Sequence, residues 1–156
     1  MSHSGDNGFS QINGQSFLKS NPPFAAIGDL DELQAWLSLL ISFFPEKEAS
    51  LKRIIKTLGS LSGQIAGCVK GEIDKEEIDF LESKAREAEK KASQIKEFLI
   101  FTKHEAALLN IGRTVCRRAE RSLVALSQKE AVSPRSLAYL NRLSTLIFWW
   151  AVLVEN

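Results

Sequence analysis

The sequence has little of what usually marks a metal site, an extracellular protein or a polyanion binder. Only two cysteines and two histidines occur among 156 residues, namely Cys68, Cys116, His3 and His104, and they lack the short spacings of a zinc site. Twenty Lys and Arg nearly balance nineteen Asp and Glu, so the net charge of +1 gives no general basic surface for nucleic acid or membranes. So few cysteines fit a reduced cytoplasmic setting, with an organelle as the alternative.

Long hydrophobic runs and strand patterns are scarce as well. The longest apolar run, Leu146 to Val154, is too short to span a bilayer, and the polar, glycine-rich N-terminus is unlike a signal peptide. Alternating patterns are few, whereas helical periodicity extends over most of the chain. We therefore predict an all-α protein with one domain large enough for a hydrophobic core.

Capping residues and the apolar period divide the chain into five predicted helices. Residues 1–23 are rich in Gly, Ser, Asn and Gln and are expected to be an irregular N-terminal segment, followed by a single helical domain over 24–156. Asp29, Asp74 and Ser133 are the expected N-caps, and Pro134 suits a first helical position. Glu32 and Glu77, three residues after Asp29 and Asp74, are expected to complete capping boxes. The predicted helices cover about 29–44, 46–70, 74–96 and 105–128, and the last begins at 133.

The fourth predicted helix carries a dense group of arginines. At 3.6 residues per turn, Arg113, Arg117, Glu120 and Arg121 share one face. The residues expected on the opposite, buried face are Leu108, Ile111, Val115, Ala119, Ser122 and Leu126. The stripe is either a solvated face paired with acidic neighbours or a binding face for a polyphosphate or an acidic partner. The pattern alone does not choose between them.

Three motifs together resemble those of the PduO-type corrinoid adenosyltransferases, also called ATP:cob(I)alamin adenosyltransferases. Residues 113–121 (RTVCRRAER) resemble the family signature, residues 139–144 (YLNRLS) resemble its second signature, and residues 28–33 (GDLDEL) resemble its first-helix motif. The resemblance implies a five-helix bundle, most often a homotrimer with sites between subunits. It implies transfer of the adenosyl group of ATP to the cobalt of a reduced corrinoid, giving adenosylcobalamin and triphosphate.

The same resemblance implies substrates, partners and a setting. ATP would bind with Mg²⁺, and the acceptor would be cobalamin or a related corrinoid, whose cobalt needs no metal ligand from the protein. A corrinoid reductase or an adenosylcobalamin-dependent enzyme would be a partner, with no role for nucleic acid or membranes. The expected location is cytoplasmic.

Particular residues take roles through the resemblance. A loop that covers the ATP triphosphate matches Ser4, Gly5, Asp6 and Gly8, and Lys19 falls where the family has a lysine near the phosphates. The remaining residues implied to bind ATP or to support its site are Arg117, Arg118, Glu120, Arg121 and Asn141.

Three further roles concern the reaction itself. Asp31 would pair across a subunit interface with Arg113, and with Arg117 these form the implied catalytic set. Phe98 matches the phenylalanine that lies against the lower face of the corrin ring and helps to exclude the lower axial ligand of cobalt. On the residues alone, Phe98 and Phe101 are more often core aromatics.

Four departures from the family pattern keep a second function open. They are His3 in place of a strong cation, Phe101–Lys103 in place of Pro-Gly-Gly, Asn110 in place of a histidine, and Thr145 in place of an aspartate. They favour, as the alternative, a non-catalytic relative that binds nucleotide or corrinoid as a sensor or carrier. A plain helical interaction module also fits the composition, but it leaves the arginine stretch unexplained.

Overall fold

The computed structural model describes residues 5–12, 14–92, 95 and 98–156. Within those ranges the chain forms five α-helices and one β-hairpin, which confirms the prediction of a five-helix, all-α bundle. The helices are α1 (Pro22–Phe43), α2 (Glu48–Ile65), α3 (Lys75–Lys91), α4 (His104–Ser127) and α5 (Pro134–Glu155), and a short 3-10 turn, Pro45–Lys47, joins α1 to α2.

Helix α5 has a central position between α3 and α4, and α4 has a similar position between α5 and α1. Helix α1 packs against α4 on one side and α2 on the other. Leu30, Leu33, Leu37 and Leu40 of α1 recur every three or four residues and are fully buried. Each such leucine contributes about 1.5–3 kcal/mol by leaving water, so the leucine stripe accounts for much of the attachment of α1.

The composition of α5 reflects this central position. Tyr139, Leu143, Ile147 and Trp150 are all buried, as the nearly continuous apolar surface of this helix predicts. Within the described residues α5 is also long and apolar enough to cross a membrane, but half of its most apolar window is buried inside the bundle. The core helix of a soluble fold passes that test too, and α5 occupies such a core position.

The N-terminal region differs from the sequence-based expectation. Instead of a wholly irregular segment, it contains an antiparallel hairpin of β1 (Phe9–Ile12) and β2 (Gln15–Leu18), with Phe9 opposite Leu18. Helix α1 then begins at Pro22, seven residues before the predicted start. Proline suits the first helical turn because the missing N–H would have no partner there. The division of the chain at residue 23 stays a prediction.

Helices α2 and α3 are shorter than predicted, and the expected cap of α3 is only partly formed. Helix α2 ends at Ile65 because Gly67 has φ of +68°, and the N–H groups of Cys68 and Val69 fold back onto the Gly63 carbonyl. Asp74 is the N-cap of α3, but its side chain accepts no capping hydrogen bond. Helix α3 ends at Lys91, and positions 93, 94, 96 and 97 of its predicted end lie outside the described residues.

The start of α5 matches the prediction. Ser133 is the N-cap, and its hydroxyl accepts a hydrogen bond from the Arg135 N–H at 3.2 Å. The same hydroxyl donates to Glu72 at 2.6 Å, and Arg135 pairs with that carboxylate at 2.8 Å. The bonds from Ser133 and Arg135 to Glu72 therefore hold the beginning of α5 against the turn that leads into α3.

Candidate functional site

The arginine face of α4 is exposed, as predicted, but its buried face is rotated from the predicted one. Arg117 and Arg121 are exposed, whereas Arg113 and Glu120 are half-buried. Val115, Ala119 and Leu126 are buried as expected, but Ile111 is 40% exposed. The centre of the buried face is instead formed by Leu109, Cys116 and Leu123. The rotation follows from α1 and α5 both packing on α4, so that the helix is buried over a wider arc than one stripe.

Arg118 is held by two carboxylates of α1. Its guanidinium hydrogen-bonds to Glu32 and approaches Asp29 at 3.3 Å. Asp29 also accepts a hydrogen bond from the Ser122 hydroxyl. The hydrogen bond that Arg118 donates to Glu32 raises the pKa of Arg118, and Asp29 adds to this effect. Asp29 was expected to cap a helix and Glu32 to complete the cap; both instead fix α4 against α1.

Arg117 and Arg121 have a different environment. Within the described ranges, neither side chain makes a hydrogen bond or an ion pair. They lie four residues apart, so two like charges stand one helical turn from each other, which weakens an isolated helix by a few tenths of a kcal/mol. Such a pair is suited to an anionic ligand that several N–H donors can grip at once.

Arg113 extends this cationic region toward the N-terminal half of α4. Its Nε donates to Asn110 Oδ1 at 2.8 Å, one turn earlier. Burial lowers the pKa of Arg113, and the neighbouring Arg117 lowers it further. Arginine nevertheless stays protonated in proteins, so Arg113 is a partly desolvated cation.

A chain of polar side chains supports Asn141 beside the arginine face. Asn141 Nδ2 donates to Glu120 Oε1 at 3.1 Å and its Oδ1 accepts from Arg142 Nη1 at 2.8 Å. Arg142 Nε in turn donates to Glu82 Oε1 at 2.8 Å. The network joins α4, α5 and α3 and therefore fixes the orientation of the Asn141 amide. Asn141 nevertheless stays exposed to solvent.

The glycine loop and Lys19 meet at the N-terminus. Gly5 and Gly8 have φ of +108° and +81°, a region that glycine adopts without a steric penalty. The Gly8 N–H donates to the Gly5 carbonyl at 3.2 Å, and the Lys19 N–H donates to the Gly8 carbonyl at 2.8 Å. Lys19 Nζ also donates to the Gly5 carbonyl at 3.0 Å. Lys19 is thus beside the predicted loop; Ser4 and His3 lie outside the described residues.

Other predicted site residues are not brought together within one chain. Asp31 is exposed and accepts from Gln34 Nε2 at 3.3 Å, and in the described ranges it makes no ion pair with Arg113. Phe98 is 93% exposed, so the reading of this residue as a core aromatic is wrong. Phe101 is half-buried and packs edge-on against Phe148, with ring centroids 6.3 Å apart.

Among the hydrogen bonds and ion pairs of the described residues, none links Gly5, Gly8 or Lys19 directly to α4. No group of three or more His, Cys, Asp or Glu side chains in those same ranges is placed to hold a metal ion.

Comparison with known proteins identifies the family. The family profile of cobalamin adenosyltransferase matches residues 1–154. This chain belongs to the cobalamin adenosyltransferase family. A corrinoid adenosyltransferase of Bacillus subtilis is 30% identical over 154 residues, covering 92% of this chain and 80% of the relative. A cobalamin adenosyltransferase of Cupriavidus metallidurans is 34% identical over 134 residues, covering 83% and 73%.

Solved structures agree with this assignment. A variant of a PduO-type ATP:corrinoid adenosyltransferase from Lactobacillus reuteri, complexed with cobalamin and ATP, superposes with a TM-score of 0.89 at 26% identity. The match covers 97% of this chain and 88% of that one. The family resemblance read from the three motifs is therefore confirmed, and so is the enzyme class that it implies.

The structure of this adenosyltransferase also places, beside the predicted site residues, side chains that the sequence analysis did not connect with them. Asp29 and Glu32 hold Arg118, and Arg142 with Glu82 holds Asn141. The sequence contained one usable signal for the first pair, because Asp29 and Glu32 are three apart and share a helix face. No local spacing connects Glu82 to a residue sixty positions later, so only tertiary packing brings that pair together.

Proposed function

We propose that this chain transfers the adenosyl group of ATP to the cobalt of a reduced corrinoid, giving adenosylcobalamin and triphosphate. The observation that carries the proposal is the pair of exposed arginines, Arg117 and Arg121, which have no acidic partner among the described residues and lie beside a braced Asn141 amide. Unpaired guanidinium groups next to a fixed amide suit the triphosphate and polar edges of a nucleotide.

The reaction asks mainly for positioning and charge stabilisation. The electron pair of cobalt(I) forms the bond to the 5′ carbon of ATP, while the bond from that carbon to the triphosphate oxygen breaks and its electrons leave with triphosphate. The protein accelerates this exchange by holding the two substrates in line. Arg117 and Arg121 stabilise the negative charge that grows on the leaving group, and Arg113 adds a partly desolvated cation nearby.

The glycine loop completes the proposed ATP site. Glycines with positive φ, such as Gly5 and Gly8, can present main-chain N–H groups to an anion because they have no Cβ to block its approach. Lys19 Nζ lies at this loop, bonded to the Gly5 carbonyl. Gly5, Asp6, Gly8 and Lys19 would cover the phosphates together with Ser4. A Mg²⁺ ion would be held by the phosphate oxygens of ATP. The remaining members of the proposed ATP site are Arg118, Glu120 and Asn141.

We also propose a homotrimer in which each site lies between two subunits. One observation supports this: among the described residues, Asp31 and Arg113 make no ion pair with each other within one chain. Pairing of Asp31 with Arg113 of the next subunit would align the site between the two subunits. Sedimentation should give three times the mass of the chain, and a monomer at working concentration would contradict the proposal.

Phe98 is the proposed contact to the corrin ring. Its nearly complete exposure supports a role in contacting the corrin ring, because a phenylalanine left in water has an apolar surface available for burial.

A cytoplasmic setting, with a corrinoid reductase or an adenosylcobalamin-dependent enzyme as partner, would fit this chemistry.

The decisive experiment measures conversion directly. Purified protein is mixed without oxygen with ATP, Mg²⁺ and previously reduced cob(I)alamin, and the corrin absorbance is followed. The wild type should form adenosylcobalamin. Arg117→Ala should lose about 1.5–3 kcal/mol of ATP binding, a roughly 10- to 100-fold fall in affinity, because a charged hydrogen bond is removed.

Arg86→Ala is the matched control. Arg86 is an exposed arginine of α3 with an acidic partner, so its loss should leave ATP affinity and turnover unchanged. Binding of ATP or corrinoid without turnover in the wild type would favour the non-catalytic sensor or carrier. Unchanged ATP affinity in Arg117→Ala would remove Arg117 from the site.

A further inference from the structure

The segment before α4 is fastened to the end of α5 by one carboxylate. Glu155 Oε2 accepts hydrogen bonds from the main-chain N–H groups of Thr102, at 2.9 Å, and Lys103, at 3.0 Å. Its Oε1 accepts from the Thr102 hydroxyl at 2.7 Å. The contact joins positions 53 residues apart in sequence, so it is a tertiary bond rather than a local one.

The position of Glu155 is unfavourable for its own helix and favourable for another. It lies in the last turn of α5, where the helix dipole disfavours a negative charge. Lys103 is the N-cap of α4, so the carboxylate sits where α4 presents its free N–H groups and positive dipole end. The Thr102 hydroxyl, and then the two N–H groups, lower the pKa of Glu155. The negative charge of Glu155 therefore stabilises the start of α4 and the segment leading into it.

That segment is fixed at one end and apolar at the other. Phe101 packs on Phe148 of α5, directly beside the Glu155 contact. Upstream, Phe98 is 93% exposed and Ile100 is 69% exposed. Two large apolar side chains thus extend into solvent from a main chain whose next residues are bonded to α5. The fixed end determines where the exposed end can reach.

We infer that Glu155 is a positioning residue for the corrinoid: by holding the main chain before α4, it sets where Phe98 and Ile100 meet the corrin ring. The inference rests on the proposed function, and it adds Ile100 as a second apolar contact. It also gives the segment 101–103 a role, because bonds to Glu155 fix its path without the Pro-Gly-Gly of the family pattern.

The test compares Glu155→Ala and Glu155→Gln with Glu105→Gln. Glu105 is in the first turn of α4 and is exposed, and its side chain makes no hydrogen bond to another described residue. It therefore controls for losing a negative charge at the same helix end. The readouts are KM and kcat for cob(I)alamin, the absorbance of bound cob(II)alamin as a measure of lower-ligand loss, ATP affinity and Tm.

The expected result is a split between the two substrates. Glu155→Ala should raise KM for cob(I)alamin or lower kcat about 5- to 20-fold and reduce the fraction of cob(II)alamin without its lower ligand. ATP affinity should stay within two-fold. Glu155→Gln should be intermediate, since its amide oxygen can still accept both N–H groups, and Glu105→Gln should match the wild type.

Other results would overturn the inference. An equal loss of ATP and corrinoid binding in Glu155→Gln would make the residue merely structural, and this variant also decides the matter if Glu155→Ala does not fold. If both Glu155 variants had wild-type corrinoid kinetics while Phe98→Ala was impaired, Phe98 would keep its role as a corrin contact but Glu155 would lose its positioning role. A wild type without turnover would instead remove the proposed function, and the inference with it.

Discussion

Helices α3 and α4 are both rich in charged side chains, but they use them in opposite ways. On α3 many of the charges are matched one turn away along the same helix, in the pairs Lys75–Asp79, Lys84–Glu87, Lys91–Glu87 and Arg86–Glu82. On α4, Arg117 and Arg121 have no partner among the described residues, and Arg118 reaches another helix for its carboxylates.

The difference teaches how to tell a solvated charge run from a binding face. Exposed pairs such as those of α3 contribute about 0–1 kcal/mol each, but they leave little unmatched charge for a ligand. Two arginines one turn apart without acidic partners repel each other and so lower the stability of the helix, but their positive charge stays available to a ligand. Density of charge does not distinguish the two helices; the location of the counter-charges does.

Among the changes that test this comparison of α3 with α4, the largest expected effect comes from giving α4 a local acidic partner of the α3 kind. Thr114 is exposed, and a glutamate there would lie three residues before Arg117 and four before Arg118. Thr114→Glu should weaken ATP binding by about 1–2 kcal/mol, roughly 5- to 30-fold, because it competes for Arg117 and repels the triphosphate. Isothermal titration with MgATP measures this. Thr114→Gln should stay within two-fold, and equal effects of both variants would indicate a steric cause.

A smaller effect is expected from removing the brace of Asn141. Arg142→Ala should reduce ATP affinity by about 0.5–1.5 kcal/mol, or about 2- to 10-fold, because the amide loses one fixed partner. Arg86→Ala removes the other cation on Glu82 and should have no effect. The loss should disappear in an Asn141→Ala background, since the arginine acts through that amide. Additive losses would show that Arg142 acts independently.

The smallest expected effect is on α3 itself, and it concerns stability alone. The hydrogen bond from Lys91, and then that from Lys84, lower the pKa of Glu87 below its ordinary 4.5. Because the folded pKa is depressed, the stabilisation is present above pH 4.5 and is lost as the pH falls through the folded value. Glu87→Gln should therefore lower Tm slightly at pH 7 and match the wild type in strong acid, with ATP affinity unchanged. A difference that persisted in acid would exclude this pair as its source.

The boundaries of the helices show where sequence reasoning reached its limit. The Ser133-Pro134 start of α5 was predicted because capping is local chemistry. The start of α1 was missed because Asp29 was expected to be the N-cap, whereas Pro22 occupies the first helical turn shortly after the hairpin. Glu77 was expected in a capping box, yet it binds Arg53 on α2 at 3.0 Å. A side chain takes the best partner in space, and that partner was distant in sequence.

The sequence by itself determined the all-α class, the arginine stripe of α4 and the three motifs of the family, because helical period and short motifs are local properties. Only the tertiary structure decided that Arg118 is paired, while its neighbour Arg117 has no partner in the part of the chain that the structure describes. Adjacent residues on a helix point about 100° apart, so one met the carboxylates of α1 and the other met solvent. Periodicity gives the direction of each side chain around the axis of its helix, and packing alone decides what lies in that direction.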